Sequence, residues 1–128
     1  NKNVNIITCF YDDVKSYLKN KDIINVSQIS LVHSSGSMEE EYISFMPKNI
    51  NKGIAVKEYC KILRIEKSDL FAIGDGMNDI EMLKEAGISV AMGNSVKELF
   101  NVSKFITKKY EENGTEEALD WIIKSLNS

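Results

Sequence analysis

The sequence predicts an α/β fold whose main part is a Rossmann-like parallel sheet with helices on both faces. Three observations predict it. Beyond Pro47, short apolar runs alternate with segments of helical period. The runs "DLFAIGD" and "ISVAMG" are continuous in their apolar residues rather than alternating, as strands covered on both faces are. And the composition, 128 residues with 43% hydrophobic and 27% charged, suits a packed core rather than disorder.

Taken in order, Val4 to Phe10 ("VNIITCF") is β-branched and apolar and predicts a strand. "YDDVKSYLK" places Val14, Tyr17 and Leu18 at helical spacing behind Asp12 or Asp13 as cap. "QISLVHS" and "EYISFMP" predict two further strands, joined through the polar loop "SGSMEE" as a hairpin. Pro47 is the only proline, and the turn-rich "PKNINKG" at that point marks a boundary between residues 1–47 and 48–128.

The second part opens on a helix with Val56, Tyr59, Cys60 and Leu63 at i, i+3, i+4, i+7. The strand "DLFAIGD" follows, then the short helix "NDIEMLKEAG" with Gly87 at its end. Next come the strand "ISVAMG", the helix "NSVKELF" with Asn94 or Ser95 as cap, and the strand "KFIT". After the Asn113-Gly114 turn, "TEEALDWIIKSL" sets Ala118, Leu119, Ile122, Ile123 and Leu126 on one face. Trp121 falls off that stripe and is expected to cover a neighbouring element.

Composition narrows the function classes. A formal charge of -3 gives no electrostatic reason for nucleic acid or an anionic membrane as partner. One histidine and two distant cysteines are too few for a zinc site of the usual kind, and Cys9 and Cys60 are expected as buried free thiols. No apolar run approaches the roughly 20 residues of a membrane span, and no secretory signal is present. A cytoplasmic protein is expected.

The stretch "FAIGDGMNDIEML" carries the chemistry. In open parallel sheets, ligands sit beyond the carboxyl ends of strands. Asp75 falls there, between Gly74 and Gly76, which allow a close backbone approach. Asn78 and Asp79 come as the next helix opens, where unpaired N–H groups favour an anion. A carboxylate with water and phosphate oxygens suits magnesium. Asp, Asn and Gly are equally the commonest turn and cap residues, so an ordinary turn stands beside the metal or phosphate site. A calcium loop of the EF-hand type is a poorer reading, since the spacing D-x-[DN]-x-[DN]-G is not met and no glutamate sits at the twelfth position. Lys52, at the start of a helix beside Gly53, is either a solvated surface lysine or a cation for phosphate.

"NKG", followed downstream by "AIGDGMNDIEMLKEAGISVAMGN", resembles the haloacid dehalogenase superfamily, and within it the Cof-type phosphatases that carry a large α/β cap. The resemblance runs from Ile43 to Leu126. It implies a Mg²⁺-dependent phosphatase acting on a small phosphorylated metabolite such as a sugar phosphate or nucleotide. Lys52 would bind the phosphoryl group, Asp75 would coordinate Mg²⁺, and Asn78 and Asn94 would contact phosphate or substrate. Asp79 would support the metal through water or through the lysine. Residues 1–47 would be the closing part of an α+β cap, and residues 48–128 the C-terminal part of the core.

Enzymes of that family attack phosphate with the first aspartate of D-x-D-G-[TS], and no such motif occurs here. The resemblance therefore implies the C-terminal portion of a phosphatase. Its N-terminal part would be the missing partner, and the chain alone would be inactive. Two rivals remain: the phosphorylation domain of a P-type ion pump, whose hinge motif is similar, and a non-catalytic module that keeps the fold for binding.

Overall fold

The computed structural model describes residues 7–13, 29–35 and 41–127. The chain divides into two compact units, Asn1–Ile50 and Asn51–Ser128. The first unit ends in a turn that contains the Pro47 region: Ile50 N donates to Pro47 O at 3.3 Å, and Asn49 takes the left-handed φ of 68°.

In the first unit, β1 (Ile7–Phe10), β2 (Ile29–Ser35) and β3 (Glu41–Pro47) form an antiparallel sheet in the order β1-β3-β2. The register sets Thr8 opposite Ser44 and Phe10 opposite Tyr42. Cross-strand pairs hold it, a hydroxyl pair Thr8–Ser44 at 2.9 Å and rings of Phe10 and Tyr42 with centroids 5.0 Å apart. Ile43, on the central strand, is buried. Residues 11–13 are helical, while the rest of "YDDVKSYLK", residues 4–6 and 28, and positions 36–40 of the loop lie outside the described residues.

The second unit runs α1 (Lys52–Leu63), β4 (Phe71–Gly74), α2 (Ile80–Glu85), β5 (Ile88–Ala91), α3 (Lys97–Phe100), β6 (Phe105–Ile106) and α4 (Gly114–Leu126). Single 3-10 turns sit at Lys67–Asp69, Met77–Asp79 and Tyr110–Glu112. The three strands are parallel in the order β4-β5-β6, with Gly74 beside Ala91 and Ala91 beside Ile106. This is the α/β sheet expected from the alternating pattern, with a third strand of only two residues. The core gathers Ala72, Leu83, Ala86, Ala91 and Leu99, small residues on the strands meeting leucines on α2 and α3. No helix among the described residues is long and apolar enough to cross a membrane.

Local chemistry sets the ends of α1. The Asn51 side chain accepts from Ile54 N at 2.8 Å, so Lys52 becomes the first helical residue. At the other end Arg64 turns left-handed, φ 55°, and Ile65 N reaches back to Cys60 O at 2.9 Å.

Four expectations need correcting. Within α1 only Gly53 is buried, and the stripe of Tyr59 and Leu63 is exposed, because no described element packs over that side. Of the expected α4 stripe only Ala118 is buried, while Leu119, Ile123 and Leu126 stand exposed. Trp121 stacks on Phe105 of β6, centroids 4.6 Å apart and rings 3° from parallel, which turns the helix so that its tryptophan edge faces the sheet. Neither Asn94 nor Ser95 caps α3, whose N-cap is Val96 without a side-chain bond; both side chains are bonded elsewhere. Cys9 and Cys60 are free thiols but half-buried rather than buried.

Candidate active site

β4 ends at Gly74, and the chain must turn at once to start α2. That turn is closed by one side chain. Asp79 sends Oδ2 back to accept from Asp75 N at 3.0 Å and Gly76 N at 3.1 Å, while its own N donates to Gly76 O at 2.9 Å. A Cβ at Gly74 would lie 2.5 Å from the Asp79 Cβ, so only glycine lets the carboxylate fold over the strand end. The loop after β5 is stitched to the same place: Met92 N and the Ser95 hydroxyl both donate to Gly74 O, at 3.0 and 3.2 Å, and Val96 N donates to Asp75 O at 3.1 Å.

Lys52 completes the arrangement from the first turn of α1. Its Nζ donates to Asp79 Oδ1 at 2.5 Å. The Lys52 side chain is 49% exposed and that of Asp79 only 5%, so the ammonium reaches out of solvent onto a buried carboxylate. Gly53 permits this seating, since a Cβ there would lie 2.6 Å from the backbone of Glu81 at the start of α2. Burial alone would raise the Asp79 pKa. The Lys52 hydrogen bond, the Asp75 and Gly76 amides and the Lys52 charge outweigh burial and hold it below the ordinary carboxylate range.

These residues open onto a cleft of about 410 Å³ lined by Lys52, Asp75, Asp79 and Asn94, with Met82, Met92, Tyr110 and Thr115 among its other walls. Asn94 Oδ1 accepts from Tyr110 N at 3.2 Å, which ties the loop after β5 to the one after β6. Its carbonyl oxygen is thereby used, and what the side chain can offer the cleft is its NH₂ donor. Of the residues expected from sequence, the fold brings Lys52, Asp75, Asp79 and Asn94 to one cleft. Asn78 is exposed and outside its lining, its Oδ1 folded back to within 2.8 Å of where a Cβ on Gly76 would lie.

For magnesium, the donor set decides the fit. Asp79 has both oxygens engaged by Lys52 and the turn amides, which leaves the exposed Asp75 as the carboxylate able to face an ion. Among the described residues no group of three His, Cys, Asp or Glu could enclose a metal. Magnesium binds through one or two carboxylates plus water and phosphate oxygens, so the cleft fits it as one part of a shared shell. Sequence patterns missed Tyr110 and Thr115. Tyr110 lies in the connection from β6 to α4 and Thr115 in the first turn of α4, and only the closure of the sheet brings them to Asp75; no local motif marks them.

The family model described as haloacid dehalogenase-like hydrolase matches residues 1–119. The chain is 32% identical over 122 residues to 5-amino-6-(5-phospho-D-ribitylamino)uracil phosphatase YwtE of Bacillus subtilis, covering 95% of this chain and 42% of that protein. It is 30% identical over 103 residues to phosphoglycolate phosphatase 1 of Saccharolobus solfataricus, covering 80% and 44%. A solved phosphatase of the HAD superfamily from Bacteroides thetaiotaomicron superposes with a TM-score of 0.75 at 27% identity, covering 93% of this chain and 42% of that one. The chain thus spans less than half the length of these relatives.

Proposed function

The chain belongs to the haloacid dehalogenase-like hydrolase family, in its Cof-type branch, and from that premise we propose that it carries part of the active site of a Mg²⁺-dependent phosphatase for a small phosphorylated metabolite. One observation carries the reading: a lysine seated on a buried, doubly bonded carboxylate stands in the same cleft as an exposed carboxylate, at the carboxyl end of a parallel strand.

In this reading Lys52 binds the phosphoryl oxygens and offsets their charge as it grows in the transition state. Asp79 positions Lys52 and, through the same carboxylate, the turn that presents Asp75. Asp75 holds Mg²⁺, which when bound supplies Lewis-acid polarisation of the phosphoryl group. The Asn94 NH₂ donates to a phosphate or substrate oxygen, and Asn78 contacts substrate from the exposed side of the turn. The nucleophile, an aspartate that takes the phosphoryl group before water releases it, comes from polypeptide outside this sequence. We assign residues 1–47 to a cap and 48–128 to the core. The exposed apolar residues of α1 and the edge of β4, paired only with β5 among the described strands, support further core structure packing there. That the relatives are named phosphatases supports this reading over an ion-pump domain.

The absence of D-x-D-G-[TS] from the sequence favours a second reading, a non-catalytic binding module. Mg²⁺ titration followed by NMR separates the two. The phosphatase reading expects saturable shifts at the Asp75 and Asn78 amides that Asp75→Ala abolishes. An unresponsive turn supports the module.

A further inference from the structure

We propose a second anion-binding site at the opposite end of the parallel sheet, for a small polyvalent anion of the polyphosphate type. A groove of about 480 Å³ lies at the amino ends of β5 and β6, lined by Lys67, Lys84 and Lys104 together with Ser89, Asn101 and Ser103. The lysines come from three separate segments: the turn before β4, the last turn of α2 and the residue before β6. No aspartate or glutamate lines the groove, although acidic residues outnumber basic ones in the chain, 19 to 16.

Two of the ammonium groups are held in place. Lys67 Nζ donates to Lys84 O at 2.7 Å, and Lys104 Nζ donates to Gly87 O at 2.5 Å. Each bond uses one of three N–H donors and leaves two for a ligand. A lysine already fixed by a carbonyl loses less side-chain entropy when an anion arrives than a free surface lysine does. Lys84 also forms an ion pair with Glu81 at 2.7 Å on the exposed face of α2, and Glu66 and Glu85 adjoin Lys67 and Lys84 in the chain without lining the groove. The floor is fixed as well. Ser89 Oγ donates to Val102 O at 3.0 Å and accepts from Lys104 N at 3.2 Å. Gly87 is packed so closely that a Cβ would lie 2.3 Å from Lys67 O. Clustered positive charge on a rigid floor is what a compact, multiply charged anion recognises. The bland role of the same lysines, satisfying carbonyls at the end of α2, predicts stability effects and no ligand.

The test is a titration of the ¹⁵N-labelled chain with inorganic pyrophosphate, without divalent metal, at about 0.15 M KCl to screen diffuse surface attraction. Saturable shifts at the Gly87, Ser89 and Lys104 amides are expected, with a Kd below about 1 mM. They should follow a different curve from any shift at Asp75 or Gly76. The double variant Lys67→Gln, Lys104→Gln should weaken binding about tenfold or more, whereas Lys97→Gln on α3 removes the same kind of charge elsewhere and should leave it unchanged. Lys84→Gln breaks neither carbonyl bond, so it tests the site even if the double variant fails to fold, and it too should weaken binding. Shifts that do not saturate, that vanish at this salt concentration, or that persist at full affinity in Lys84→Gln would overturn the proposal.

Discussion

Asp79 makes four hydrogen bonds with its carboxylate and backbone N–H, and so couples the lysine of α1 to the turn after β4. Because its folded pKa is held below the ordinary value, its contribution is complete above the unfolded pKa near 4 and is lost as pH falls through the lower folded value. Acid titration of thermal stability should therefore show a loss beginning below pH about 4, which Asp79→Asn flattens. An unchanged acid profile in that variant would show that the carboxylate is not stabilising. Gly74 gives a second test at this scale. Gly74→Ala forces the new methyl against Asp79 and should cost about 1–3 kcal/mol in urea denaturation. It should also weaken any Mg²⁺ response at Asp75. The Gly-Asp-Gly-x-Asn-Asp cluster made these residues legible in sequence, because strand-end chemistry concentrates in contiguous positions. Tyr110 and Thr115 were not legible, since only tertiary contact brings them to the cleft.

Among the elements, the strands "FAIG" and "ISVA" were visible because a fully covered strand must be continuously apolar, while β6 shrinks to two residues paired only with β5 among the described strands. Helical period located α1 and α4 but not the side each one buries. An amphipathic stripe records where apolar residues lie; which edge meets the sheet is decided by contacts such as Trp121 on Phe105. The exposed apolar residues of α1 make a measurable contrast. Ile62, 76% exposed, should tolerate Ile62→Glu within about 0.5 kcal/mol in this chain. Leu99, fully buried between α3 and the sheet, should lose about 2–5 kcal/mol as Leu99→Ala. Comparable losses in urea melts would mean that Ile62 is covered in solution.

At the scale of the whole molecule, the chain has an antiparallel unit and a parallel α/β unit, and it spans less than half the length of relatives such as the Bacillus subtilis phosphatase and the solved Bacteroides thetaiotaomicron phosphatase. The α/β unit brings a lysine, an exposed carboxylate and an amide donor to one cleft, and D-x-D-G-[TS] is absent from the sequence. The absence of that motif was readable directly, since a missing motif is as readable as a present one. Hydrolysis of a phosphomonoester panel, with and without Mg²⁺, tests the central claim most directly. It should be measured on a polypeptide in which this chain is joined to a family N-terminal segment carrying D-x-D-G-[TS]. The account predicts Mg²⁺-dependent turnover that falls by a factor on the order of 10²–10³ in Asp75→Ala and in Lys52→Met. Equal turnover in wild type and both variants would contradict it.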